Sequence, residues 1–303
     1  MNIIFGPVQS RRFGKSLGID LSPEKKQCNF DCLYCELEPA KTVSTYNSVI
    51  SVTEVMTALK SALERHHSID FITLTANGEP TLYPYLSELI DAIDELKGES
   101  RTLILSNGST IGDPAVRHTL AKLDMVKLSL DCATDRCLHR LDRAHHGIAI
   151  ETIKEGMLEF RQRYAGPLII ETLFVKMIND KADEIAALNA FFLELQPDRI
   201  DIGTIDRPPA YDVKPLSYEA LHEIAQLFDP SLPIYIASRK KVESKPERYS
   251  TEEILQTLSK RPLTPQDIEI LFDRESQKSL ETLMELEKII IRETNGVNFY
   301  TLA

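Results

Sequence analysis

Long apolar runs are missing from this chain. Nowhere do roughly 18 to 20 apolar residues follow one another, the length a membrane-spanning helix needs. The N-terminus, MNIIFGPVQSRRFGK, lacks the basic, apolar, then small order of a secretory signal. Both absences predict a cytoplasmic protein with no membrane partner. Basic charge is also short, with 35 Lys and Arg against 46 Asp and Glu and a net charge of −11. That balance argues against a broad polyanion-binding surface and leaves room for a local one. Nothing in the composition is disordered or collagen-like, and 43% hydrophobic residues over 303 positions can bury a sizeable core. Such a length suits one large domain, or a large one with a small companion. Cysteine is scarce, five in all. In the cytoplasm disulfides are rare, and clustered cysteines more often bind metal.

Apolar, β-branched runs recur along the first 205 residues: 16–21, 70–76, 102–108, 125–131, 168–175 and 199–205. Helical spacing fills the gaps, at 52–66, 85–96, 114–123, 150–164 and 182–195. Ser51 and Glu54 form a capping-box pair ahead of the first helix. The repeat of about 25 to 35 residues is the size of a βα unit. Six units in series predict parallel strands wrapped by helices, as a partial barrel or an open doubly wound sheet. Either way the chemistry sits at the C-terminal ends of the strands.

After residue 238 the character changes. The charged stretch 239–249 reads as a linker, and 250–303 as a second, smaller domain. Ser250 and Glu253 repeat the capping box, Thr264 caps a helix that Pro265 begins, and a longer helix follows from about Gln277 to Glu287. Two short strands then meet through Asn295-Gly296, a tight-hairpin signal. Three helices and a hairpin resemble a winged-helix module. From Glu247 onward the chain carries seven basic and eleven acidic residues. Nucleic-acid binding leans on Lys and Arg, so this module suits a protein or peptide contact better.

Three of the five cysteines lie within CNFDCLYC, residues 28–35, directly after the first apolar run. Structural zinc takes four ligands, usually as two close pairs. Cys132 and Cys137 would complete such a set only if the fold brought them to the same place. Three thiolates with no fourth nearby suit an iron–sulfur cluster with one iron left open, a position for a substrate or cofactor. Cys132 and Cys137 themselves are expected to be free thiols.

Cysteines at gaps of three and two, with Tyr34 before the third, resemble the signature of the radical S-adenosylmethionine superfamily. The resemblance covers essentially residues 1–240. It implies a partial (β/α)6 barrel and a 4Fe–4S cluster on Cys28, Cys32 and Cys35. S-adenosylmethionine would bind the open iron, and its reductive cleavage would release a 5′-deoxyadenosyl radical. An electron donor such as flavodoxin or ferredoxin is implied too. TANGEPT, 75–81, resembles the loop that binds the methionine amine, with Asn77, Gly78 and Glu79 as contacts. A turn of this kind needs tight backbone and a carboxylate for an ammonium. Ser106 and Asn107 end the third strand with small polar groups suited to the ribose or carboxylate. Lys127, Ser129 and Asp131 share one strand face by their period of two and are expected to point into the barrel. Finer motifs, GPVQSRRFGKSLGIDL, NGEPT, LDRAHHG and TIDRPPA, resemble a wyosine-synthase-like branch whose best-known relatives modify transfer RNA. The substrate is accordingly a transfer RNA, or a protein or peptide recruited by the C-terminal domain. A non-enzymatic electron-transfer or sensor protein is the remaining class, and it would have no use for NGEPT. Glu171, Arg143, Asp206 and Arg207 are candidate catalytic groups by their place at the active face. Arg11, Arg12 and Lys15 could meet a substrate phosphate or carboxylate, and His145 and His146 lie near the same face.

Overall fold

The computed structural model describes residues 3–10, 13–236, 246, 248–260, 262–294 and 297–303. The linker at 239–249, apart from Pro246, Arg248 and Tyr249, lies outside the described residues, as do Arg11, Arg12 and the Asn295-Gly296 turn.

Eight strands form one sheet in sequence order, β1 (Ile4–Ser10), β2 (Gly14–Asp20), β3 (Phe71–Thr75), β4 (Arg101–Ser106), β5 (Met125–Ser129), β6 (Leu168–Phe174), β7 (Arg199–Thr204) and β8 (Ile234–Ile236). Pairing is parallel from β2 through β8, and β1 alone runs antiparallel, on β2. Among the described residues no pairing joins β8 to β1, so the sheet is an open, barrel-like α/β wall. The six strands expected from the sequence are β2 to β7. The structure adds β1 and the three-residue β8 at the two edges.

Helices α1 (Val52–Arg65), α2 (Leu86–Leu96), α3 (Pro114–Leu120), α4 (Asp135–Leu141), α5 (Ile150–Arg161), α6 (Ala182–Leu195) and α7 (Tyr218–Gln226) connect the strands. With both faces of the sheet covered, strands such as β3 are buried almost throughout, which is why they read as continuous apolar runs. Ser51 and Glu54 make the reciprocal capping box at the start of α1. One apolar core runs from Ile19 through Ile72, Ile104, Leu128, Ile170 and Ile202 out to Leu59, Ile93, Phe160 and Phe192.

Beyond β8 a second core gathers Tyr249, Ile254, Leu263, Ile268, Phe272, Leu280, Ile289 and Phe299. It is built from α8 (Thr251–Lys260), α9 (Pro265–Leu271), α10 (Arg274–Glu285) and the antiparallel pair β9 (Ile289–Thr294) and β10 (Val297–Leu302). Leu263 bridges to Tyr300 ahead of α9. This unit rests on β1 and α1: the buried Tyr249 hydroxyl donates to the Pro7 carbonyl, and Arg65 Nη1 lies 3.2 Å from Glu253. No described helix is long and apolar enough to cross a membrane.

Gly156 sits mid-helix in α5, where alanine would ordinarily add up to about 1 kcal/mol of helix stability. A Cβ there would stand 2.6 Å from the backbone of Ile111 and 2.7 Å from that of Gly112. Gly156→Ala should therefore destabilise the fold, by roughly 1 to 3 kcal/mol from forced overpacking. Chemical denaturation checks this, and a stabilised variant would show that α5 stands off the 111–112 backbone.

Candidate functional site

At the C-terminal end of β2 the chain enters residues 21–51, a long loop with no regular element. Its path is fixed by one buried side chain. Gln27 Nε2 donates to Ser22 Oγ (2.7 Å) and the Ser48 carbonyl (2.8 Å). Gln27 Oε1 accepts from the amides of Asn47 (2.6 Å) and Ser48 (3.0 Å). The Gln27 backbone pairs with the loop after β3: its N–H donates to the Asn77 carbonyl (2.8 Å), and its carbonyl accepts from Glu79 (3.0 Å). Gly78 lies in that bridge with φ +135, and a Cβ on it would fall 1.9 Å from the Gln27 carbonyl oxygen. Only glycine fits there.

Cys28, Cys32 and Cys35 are half-buried thiols along this loop. They line one wall of a cavity of about 200 Å³ whose other walls include Gly78, Glu79, Ser106, Asn107, Lys127, Ser129 and Glu171. Asn107 Nδ2 approaches Cys28 Sγ at 3.7 Å, and the Phe30 N–H donates to the same sulfur at 3.3 Å. Burial pushes the Cys28 thiol up to about 12, with Glu79 adding to it, and raises Cys32 and Cys35 as well. Such thiols ionise only when a cation takes up their charge, as a metal does.

The sulfur geometry bears on which metal. Among the described residues only Cys132, Cys137 and Glu184 bring three His, Cys, Asp or Glu donor atoms within 4.8 Å of one another. The three loop sulfurs do not all come that close, whereas a tetrahedral zinc with 2.3 Å bonds would draw them all to about 3.8 Å. A single zinc is therefore a poor fit, and a larger cluster suits the donor set. Nor can Cys132 and Cys137 supply further thiolates. The expectation that they are free thiols is corrected: the two sulfurs are bonded to each other, because the loop after β5 brings Cys132 beside Cys137 in the first turn of α4, with Cα atoms 5.4 Å apart.

Glu79 is buried and takes four hydrogen bonds: Thr81 N–H (2.9 Å), Thr81 Oγ1 (2.6 Å), Ser106 Oγ (2.7 Å) and Asn107 N–H (2.7 Å). Burial raises its pKa against the pull of those bonds. The carboxylate thus ties the end of β4 to the loop after β3. Lys127 reaches the cavity floor, where Nζ meets Glu171 (2.7 Å) and Asp201 (3.0 Å). Asp131 lies beyond the strand but shares a small pocket with Ser129 and Asn107. The strand ends at Ser129, and beyond it Asp131 turns aside to accept from Tyr34 OH and from the Leu173 N–H (2.7 Å). Tyr34 and Asp131 line a pocket of about 20 Å³, room for a single water, which adjoins the first cavity through Phe30, Asn107 and Ser129.

The remaining candidates lie at the rim. Arg143, with φ +50, stacks 4.8 Å over the Tyr211 ring and stands 3.5 Å from Asp31. Tyr211 OH donates to Asp31 (2.5 Å) and Lys26 Nζ lies 3.4 Å from it. Arg207 grips Glu36 at 3.0 Å, while Asp206 is exposed. The Ala210 N–H donates to the Cys35 carbonyl (2.8 Å), so the loop after β7 straps the cysteine loop. His145 is held through its N–H to the Asn29 carbonyl (2.8 Å), and His146 is exposed. Lys15 sits away from the site, its N–H on Asp70 (2.8 Å) and its Nζ on the His67 carbonyl (3.2 Å). Sequence reasoning missed Gln27, Asp31, Asp142 and Tyr211. Asp142 ends α4 beside Cys32, buried, with its pKa raised foremost by that burial.

Residues 26–188 match the Radical SAM superfamily. A UPF0026 protein of Helicobacter pylori is 41% identical over 98% of this chain and 97% of its own length. Another, from Methanocaldococcus jannaschii, is 33% identical over 76% and 72%. Among solved structures, Streptococcus suis SuiB bound to S-adenosylmethionine aligns with TM-score 0.54 and 20% identity, over 73% of this chain. This chain spans about half of that protein, 51%. A radical SAM methyltransferase from Sphaerobacter thermophilus aligns with TM-score 0.56 and 15% identity, over 74% and 67%. At those identities the likeness is one of fold.

Burial lifts the Asp131 carboxyl from 3.8 to about 7, against the opposing hydrogen bonds from Leu173 and Tyr34. The folded protein then holds a proton that the unfolded chain releases near pH 4. Stability from this group is full below about pH 4 and is lost as pH rises to about 7. Denaturation midpoints of the metal-free protein, measured relative to those of Asp131→Asn, should fall across that window. Parallel midpoint curves for the two proteins across the window would contradict the assignment.

Proposed function

Because the chain belongs to the radical SAM superfamily, whose members use a 4Fe–4S cluster and S-adenosylmethionine, we propose that Cys28, Cys32 and Cys35 hold that cluster and that the adjoining cavity holds the cofactor. The observation that carries this is the shared wall: three thiols, not all within 4.8 Å of one another, open into one cavity with Gly78, Glu79, Ser106 and Asn107. When bound, the cluster and cofactor supply a 5′-deoxyadenosyl radical that abstracts a substrate hydrogen.

The chain's own residues position and shelter that chemistry. The Phe30 N–H and the Asn107 amide direct partial positive charge at Cys28 Sγ, which favours the thiolate. Asn107 is itself oriented through Asn29 Oδ1 (2.9 Å) and the Ser109 hydroxyl and N–H. The Gln27–Gly78 pairing fixes the distance between the cysteine loop and the Asn77–Glu79 turn. Glu79, saturated by protein donors, holds Ser106 and Asn107 in place. Lys127 and Glu171 form a charged floor that orients polar groups entering the barrel. Ser129 lines the same wall, and Tyr34 and Asp131 line the small pocket that adjoins it. Arg143 and Arg207, tied to Asp31 and Glu36, hold the mouth rather than reach the interior.

We read residues 1–238 as the catalytic domain and 250–303 as a winged-helix-like module, from its order of helix, bridging residue, two helices and hairpin. Its excess of acid over base favours a protein or peptide substrate over a transfer RNA. A small redox protein such as flavodoxin or ferredoxin fits the role of electron donor.

Anaerobically reconstituted protein should carry about four irons per chain and release 5′-deoxyadenosine after reduction with dithionite. Cys32→Ala should abolish both, and Gly78→Ala should keep the iron but cut release at least tenfold. Zinc-loaded protein that releases none would overturn the assignment. Binding of bulk transfer RNA that falls steeply with salt would overturn the preference for a peptide substrate.

A further inference from the structure

The function above makes no use of Cys132 and Cys137. Both are buried, at 1% and 7% exposure, and their bond ties the loop after β5 to the first turn of α4. The short loop between them is clamped from a third element. Glu184, in the first turn of α6, accepts from the Ala133 N–H, the Thr134 N–H (3.1 Å) and the Thr134 hydroxyl (2.9 Å). Its carboxylate lies within 4.8 Å of both sulfurs. Thr134 Oγ1 also caps α4 by accepting from the Cys137 N–H (3.2 Å). One end of α4 is therefore held by the sulfur bond, its cap and Glu184.

The opposite end of α4 carries the cysteine loop. The Leu141 carbonyl accepts from the Leu33 N–H (2.9 Å), and the Asp142 carbonyl accepts from the Asp31 N–H (2.9 Å). The buried Asp142 side chain lies beside Cys32. Seven residues of helix, about 10 Å, separate the two ends and move as one rod. Closing so short a loop constrains the unfolded chain less than a long loop would, so bulk stabilisation is a weak reason for the bond. Its place at the root of the helix that holds the cysteine loop is a better one.

We propose that Cys132 and Cys137 are a dithiol–disulfide couple, modified by thiol–disulfide exchange, whose state sets how firmly α4 holds residues 28–35. In the reductive direction a small dithiol's thiolate attacks one sulfur, giving a mixed disulfide and freeing the other sulfur. The reagent's second thiolate then displaces the remaining protein sulfur. Two electrons and two protons pass to the pair, and the reagent leaves as its own disulfide. The closed form locks the root of α4, and the open form leaves it to the Thr134 cap and Glu184.

The test uses the whole chain under anaerobic conditions, after diamide or after dithiothreitol. Cleavage after Arg136 separates the two cysteines, so a bond appears as a linked peptide pair and the open form as two alkylated peptides. Hydrogen exchange of the 28–36 segment then reads the Asp31 and Leu33 amides. The expected result is a linked pair after diamide, and exchange at least threefold faster after dithiothreitol. Cys137→Ser and Cys132→Ala should show the faster rate under both conditions. No linked pair after diamide, or equal exchange in the two states, would overturn the proposal. The wild-type comparison decides even if a variant fails to fold. The proposal concerns the loop assigned above to the cluster, yet exchange reads that loop with or without iron. Protein that binds no iron but shows the linkage and the exchange difference would sink the cluster assignment and leave this one standing.

Discussion

The backbone of Gln27 runs alongside that of Gly78, so close that a single methyl group would part them. Everything at the site is referred to this contact. It binds the loop that carries three cysteines to the turn that carries Glu79, and Glu79 carries the ordering on to Ser106 and Asn107. Asp20 joins the same lattice from the end of β2, accepting from the Asn77 and Ser22 amides. Parallel strands deliver these segments to one end of the sheet. The pairing then converts neighbours in space into a fixed geometry.

Electrostatically the site is held in tension. Glu79, Asp131 and Asp142 are all buried with raised pKa values, burial being the leading cause in each. The three thiols are raised for the same reason. An acidic, desolvated pocket of this kind disfavours thiolates until iron supplies positive charge. At the rim the balance reverses, with Lys26, Arg143 and Arg207 each paired to a carboxylate. Those pairs fasten three chain segments around the mouth.

Much of this was legible in the sequence. Strands β2 to β7 announced themselves because burial on both faces selects unbroken β-branched runs. β1 did not, since IFGPVQS breaks its pattern with glycine and proline. β8 is only three residues long. The cysteine spacing marked the candidate cluster ligands directly, because all three lie on one loop. Gln27 and Asp142 carried no such mark: each is a polar residue whose partners come from distant segments. Counting by twos grouped Asp131 with Lys127 and Ser129; the strand stops at Ser129, and Asp131 meets Ser129 again in the small pocket beside the cavity. Cys132 and Cys137 were judged from compartment chemistry, when what decides their state is the loop after β5 folding back on the first turn of α4.

The central claim is that the cluster held by Cys28, Cys32 and Cys35 keeps one iron open for the cofactor. Electron paramagnetic resonance of the reduced protein, recorded before and after saturating S-adenosylmethionine, tests it most directly. The account expects the cluster signal to shift in its g values as the cofactor occupies the open iron. A signal that is identical with and without the cofactor would contradict it.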